Sequence, residues 1–155
     1  MDVLYGLGVL STGLFAGLMM TLVFLLQRQW GAQDKVSYVT GFRQFLLAAK
    51  GHPLITLLTF ISFIAPSVLA VLAYQSGRVL DGTLFVLAAA IFFLGCFVVT
   101  VFLNLPIYNT VISWERESDY GAWHEVRRRF FTLNVIRFAS ALASFLLMIA
   151  AGLTA

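Results

Sequence analysis

Four long runs of apolar residues with a single charge among them set the limits on what this chain can become. They cover about residues 3–26, 53–74, 83–103 and 130–152, the last containing only Arg137. At 1.5 Å per residue, a run of about twenty helical residues crosses the roughly 30 Å hydrocarbon layer of a bilayer. Only helices and closed barrels satisfy every backbone polar group there, and runs of this length without alternation predict helices. The chain is 155 residues long, 61% hydrophobic and 11% charged, far from the quarter or so charged expected of a soluble domain. The expected fold is an all-α integral membrane protein, a single domain over residues 1–155 built as a four-transmembrane-helix bundle.

The connections set the orientation. Of the ten Lys and Arg residues, all but Arg78 lie in the two long connections or at the start of the fourth span. The positive-inside bias therefore predicts cytoplasmic long loops, outside N- and C-termini, and a multi-pass place in the cell membrane. The net charge of +3 reads as topology, and nucleic acid is not an expected partner. The N-terminal run lacks a basic flank, which predicts a retained helix and not a cleaved signal peptide. Within residues 27–52, Val36, Val39, Phe42, Leu46 and Ala49 recur at helical spacing. Asp34 stands as N-cap and Gly51 as stop, which predicts an amphipathic helix at the cytoplasmic interface. Pro66 predicts a kink in the second span.

Small residues recur as Gly13 and Gly17 in the first span and as Ala139, Ser140, Ala143 and Ser144 in the fourth. They predict close helix packing within the chain, with a homo-oligomer contact as the other use of such a face. The lone Cys96 permits no intrachain disulfide. With two histidines and one cysteine, no zinc site of N and S ligands alone can form.

The polar residues that enter the apolar runs are the candidates for a site. Asn104, Asn109, Asn134 and Arg137 are expected at similar depth near the cytoplasmic interface, with Gln27 and His52 at the same level. Tyr120, Trp123, Arg127, Phe130, Asn134 and Arg137 step by three and four, forming one stripe on the helix that enters the membrane. Pro106 withholds a donor from the Phe102 carbonyl, and broken helices at membrane depth line cavities. Plainer uses stand beside these. Arg137 can snorkel to the interface, the asparagines can join helices, and His52 and His124 can be ordinary interfacial residues. Glu115, Glu117, Asp119 and Glu125 read as a solvated face, with Glu125 placed to pair with Arg129.

The elements GLFAGLMM, VSYVTGFRQF, NLPIYN, the basic cluster and NVIR together resemble the small four-helix membrane proteins called anthrone oxygenase-like. The Asn-x-Pro-x-x-Asn, Trp, basic and Asn-x-x-Arg pattern of that family falls on Asn104, Pro106, Asn109, Trp123, Arg127, Arg128, Asn134 and Arg137. The resemblance implies a cofactor-independent oxygenase acting on a hydrophobic, anthrone-like polycyclic aromatic. In that case Arg137 and Asn109, with Asn104, Asn134 and Arg127, hold the enolate and phenolic oxygens. Tyr120, Trp123 and Phe130 stack the rings, and His52 or His124 takes the proton. The alternative is a non-catalytic accessory membrane protein whose pocket holds a lipid, a quinone or a haem. No cofactor is expected; haem held by His52 and His124, or a metal held by them with carboxylates, is the disfavoured exception. Transport is disfavoured, because no charge lies near the middle of a span and no inverted repeat is evident.

Overall fold

The computed structural model describes residues 2–153, apart from the side chains of residues 117–119, so the solvated face expected at Glu117 and Asp119 lies outside the described residues. Among the described residues, four helices are long and apolar enough to cross a membrane. They are α1 (Asp2–Gly31), α3 (Pro53–Gln75), α4 (Val79–Ile112) and α5 (Trp123–Leu153). Between the first two lies α2 (Lys35–Ala49), and a 3-10 turn over Glu117–Ala122 leads into α5. No strand occurs among the described residues. Helices α1, α4 and α5 each outrun their apolar blocks at the end that carries the long connections, hereafter the basic end.

The four long helices form a closed ring in which α1 packs on α3, α3 on α4, α4 on α5, and α5 on α1. In lipid no hydrophobic gradient drives helices together, so the seams depend on close fit. Gly95 of α4 provides that fit, because a Cβ there would collide with Ser140 of α5. One turn further along the same seam, the Ser144 hydroxyl donates to the Ala88 carbonyl at 2.9 Å. Gly13 faces the Phe145 ring, while Gly17 has nothing within 4 Å of a Cβ position. The predicted small-residue faces thus act within the chain at Gly13, Ser140 and Ser144. Outward, Leu7, Leu10, Leu14 and Leu18 form one exposed apolar stripe on α1, as expected of a lipid-facing surface.

The buried positions of α5 step by four and three without a break: Phe130, Asn134, Arg137, Ala141, Ser144 and Met148. A core stripe of that regularity is expected of a bundle helix. Its first turns differ in carrying an amide and a guanidinium where the rest carry small or apolar groups.

Helix α2 closes the basic end. Asp34 caps it, accepting from the backbone N–H groups of Val36 and Ser37 at 3.1 and 3.2 Å, and Gly51 stops it with φ +72°. The inward face keeps Val39, Phe42 and Leu46 of the expected set and differs at its start. Val36 is exposed and Tyr38 is buried beside Val39, Phe42 and Leu46. The aromatic partners of Tyr38 explain the difference, since its ring meets Trp30 and Trp123 at 6.4 and 5.5 Å. Phe42 packs edge-on against Phe130 at 4.6 Å. Phe42 and Leu46 are fully buried, and each such side chain contributes about 1.5–3 kcal/mol where the alternative is water.

Two of the long helices widen from α to π geometry, α1 over Thr21–Leu26 and α4 over Phe93–Asn104. The second ends where Pro106 begins the final turns of α4, and the Leu105 N–H bonds back five residues to the Thr100 carbonyl. The break expected at Pro106 takes this form, a change of register ahead of the proline. Helix α3, in contrast, runs through Pro66 as one helix.

Candidate functional site

A cavity of about 380 Å³ lies inside the ring at the basic end, below the C-terminus of α2. Both π segments supply its wall, Thr21 and Leu22 from α1 and Phe97 and Thr100 from α4. A π turn carries more residues than an α turn and so re-aims the faces that follow, which is why such segments recur at functional sites. The aromatic lining is Phe45, Phe60, Phe97 and Tyr108. The volume falls within the usual range of pockets for small ligands, about 300–1,000 Å³.

Among the described residues, Arg137 is the one charged group on the wall that is also buried, at 5% exposure. Its Nη1 donates to the Asn134 Oδ1 at 2.8 Å, and its guanidinium lies 5.6 Å from the Phe15 ring centroid. The Nε has no hydrogen-bond partner among the described residues. Asn134 is held in turn, its Nδ2 donating to the Phe130 carbonyl at 2.7 Å. The Arg137 side chain does not snorkel; it is fixed inside the bundle by an amide and a ring. Depth follows from its neighbours, because the Cys96 thiol donates to the Arg137 carbonyl at 3.2 Å. Counted from the end that carries the termini, Cys96 and Arg137 each lie about 25 Å along their helices.

The other polar groups of the wall divide by role. The hydroxyls of Thr56, Thr59 and Thr100 donate to the carbonyls of His52, Ile55 and Cys96. Their protons are committed to their own helices and their lone pairs remain to accept from a guest. Lys50, at the mouth, donates from Nζ to the Asn109 Oδ1 at 2.8 Å. The cavity therefore offers cationic donors at its floor and mouth, acceptors on its sides, and aromatic surface between.

The expected site residues separate into three groups. Arg137 and Asn134 come together, and Asn104 is buried on the facing helix with both amide atoms lacking a partner among the described residues. Asn109 does not share their depth; α4 continues past Asn104 to Ile112, so Asn109 emerges exposed at the rim. Phe130 lies behind the wall, with its ring 6.0 Å from that of Tyr108. The third group lies away from the cavity. Tyr120 packs on Trp114, and the Trp123 ring lies between Tyr38 and His124. Arg127 lies over the Tyr38 ring at 5.3 Å. His124 is exposed in a separate groove between α1 and α5, and His52 is exposed at the start of α3. Neither histidine lines the cavity. Among the described residues no group of three His, Cys, Asp or Glu side chains comes together as metal ligands would. Glu125 bonds Arg128 at 2.8 Å, one residue short of the expected partner Arg129.

Sequence reasoning missed Lys50, Tyr108 and the threonines of the wall. Thr56, Thr59 and Thr100 are polar residues inside apolar runs, a signal that the hydropathy pattern itself carries. Tyr108 stands within NLPIYN.

A sequence model of the family described as anthrone oxygenase matches residues 42–147, about two-thirds of the chain, from α2 to the last turns of α5. No curated protein and no solved structure matched it.

Proposed function

The chain belongs to the anthrone oxygenase family, and from that membership and the cavity around Arg137 we propose that it oxidises a hydroxylated, anthrone-like polycyclic aromatic with molecular oxygen. A single observation carries the reading. A guanidinium, held by Asn134 and left with a free Nε donor among the described residues, lines an aromatic cavity at hydrocarbon depth. A buried positive charge needs a partner, and an oxyanion that forms during reaction is one that appears only when it is wanted.

In the proposed reaction the methylene between the two aromatic rings loses a proton, and the charge moves to the ring-ketone oxygen as an enolate. Arg137 stabilises that oxygen, so a weak base suffices. Water at the Lys50–Asn109 mouth takes the proton, and neither histidine is assigned the step. The enolate carbon then bonds to oxygen, giving a peroxide anion that takes the first proton back from water at the mouth and becomes a hydroperoxide. Loss of the second methylene hydrogen as a proton breaks the O–O bond, leaving a carbonyl and releasing water. One oxygen atom enters the product and the other leaves as water, so the balance needs no further reductant. Phe60, Phe97 and Tyr108 provide the surface for the rings, and the threonine lone pairs accept from phenolic hydroxyls. The basic end faces the cytoplasm in this proposal, following the distribution of Lys and Arg.

The test is oxygen uptake by purified protein in detergent, with an anthrone as substrate and a metal chelator present. The proposal expects one oxygen consumed per quinone formed, well above the spontaneous rate. Ring binding without faster uptake would replace it with the accessory reading, in which the cavity holds a quinone or lipid without turnover.

A further inference from the structure

A second groove, of about 630 Å³, opens at the basic end between α1 and α5, on a different face of α1 from the cavity. Its polar lining is Gln27, Arg28, His124, Arg127 and Arg128. Arg28 and Arg127 have no carboxylate partner among the described residues, and nearby Glu125 is bonded to Arg128. Gln27 is 6% exposed and lines the groove, yet its amide nitrogen has no hydrogen-bond partner among the described residues. The groove thus gathers cationic and amide donors in excess of acceptors, the complement of a phosphate.

What lies beyond it along the same two helices identifies the source of that phosphate. Val23, Phe24 and Phe131 form the apolar side of the groove. Further from the basic end an apolar furrow of about 500 Å³ continues between α1 and α5, lined by Gly13, Gly17, Met20 and Phe138 among others. Phe24 and Phe138 meet edge to face at 5.6 Å where the two spaces adjoin. Gly17 leaves room, with nothing within 4 Å of its Cβ position. A phosphate donor set directly above an apolar furrow in a membrane helix pair has the shape of a phospholipid.

We propose that the α1/α5 face is a binding site for an anionic phospholipid. The phosphate lies among Arg28, Arg127, Arg128 and the Gln27 amide, and one acyl chain lies along the furrow past Gly17. Arg127, which the sequence pattern assigns to the aromatic substrate, and His124, which it offers as a base, thereby belong to a lipid contact. This inference does not rest on the proposed oxidation.

The test uses the full chain in nanodiscs of phosphatidylcholine, with traces of spin-labelled phosphatidylglycerol or spin-labelled phosphatidylcholine. Wild-type protein is expected to immobilise the anionic label selectively. Arg28 and Arg128 are exposed, so Arg28→Gln and Arg128→Gln leave the packing intact and should each lower that preference about fivefold. Arg129→Gln removes the same charge outside the groove and should leave it nearly unchanged. Gly17→Leu, which fills the furrow, should release the label without altering charge. Equal immobilisation of both labels, or equal loss in Arg129→Gln, would overturn the proposal. Displacement by millimolar inorganic phosphate with no effect of Gly17→Leu would overturn it in favour of a free anion. Dimers in wild type that Gly17→Leu abolishes would overturn it in favour of a second copy of the chain.

Discussion

Arg137 and Asn134 lie one turn apart on the same helix, joined by a 2.8 Å hydrogen bond from Nη1 to Oδ1 in the bundle interior. The pairing keeps a cation at hydrocarbon depth without bringing a fixed negative charge to it. A carboxylate at residue 134 would neutralise the guanidinium permanently. An amide orients it and leaves its charge available.

Asn134→Ala removes the acceptor and leaves the guanidinium without a side-chain hydrogen bond. A hydrogen bond to a charged group contributes about 1.5–3 kcal/mol, and unfolding of the detergent-solubilised protein by added SDS should register a loss of that order. A loss no larger than that from a lipid-facing control, such as Leu14→Ala, would mean that the pair does not hold the helix interior.

At the α4/α5 seam, Gly95→Ala places a methyl group against Ser140. Overpacking of this kind costs about 1–3 kcal/mol. Ser140→Gly in the same chain should restore most of it, and the double-mutant cycle measures the recovery. No recovery would mean that the seam is not in contact at these two residues.

Burial pushes the Tyr38 phenol up from 10.0 to about 12, against the opposing pull of the Arg127 guanidinium. A raised pKa means that the folded state holds the proton longer, so this contribution is complete below pH 10 and is lost as pH rises through 12. Tyr38→Phe should remove that alkaline step. It should leave stability at pH 7 unchanged or higher, because the buried hydroxyl has no partner among the described residues to lose. At the other end of the scale, hydrogen bonding from Ser37, side chain and backbone, holds Asp34 below 3.8. The cap is intact above that value and is lost as pH falls through the depressed pKa, where the circular dichroism of α2 should weaken.

Asn109 and Lys50 form the rim rather than the floor. Asn109→Ala should therefore raise KM several-fold and leave kcat within about twofold, the signature of lost uniform binding. A fall in kcat of about a hundredfold would bring Asn109 to the reacting atoms and contradict its placement at the mouth.

The spans are legible because charges are absent from them, and a charge in hydrocarbon is costly enough to leave a clear gap pattern. The cap at Asp34 and the stop at Gly51 are legible because both act through the backbone within a few residues. The composition of the site is less so. Which residues share a cavity depends on the register between α4 and α5, set by contacts such as Gly95 with Ser140 and Cys96 with Arg137, which no local periodicity encodes. The π segments add to the difficulty, since each extra residue per turn rotates every face beyond it. Helical spacing groups Trp123 and Arg127 with Arg137, yet the aromatic cluster on Tyr38 draws them to another surface. The sequence pattern sets Asn109 too deep, because α4 continues as a helix where a loop is expected.

The central claim is that Arg137 stabilises an oxyanion, and Arg137→Met tests it most directly, because methionine keeps most of the side chain's bulk and removes its charge. Quinone formation from an anthrone should be followed by absorbance in wild type and variant, with ring binding measured alongside by quenching of protein fluorescence. The account predicts that the variant folds, still binds the rings, and loses about 10²–10³-fold in kcat. A variant that folds, binds and turns over at the wild-type rate would contradict it.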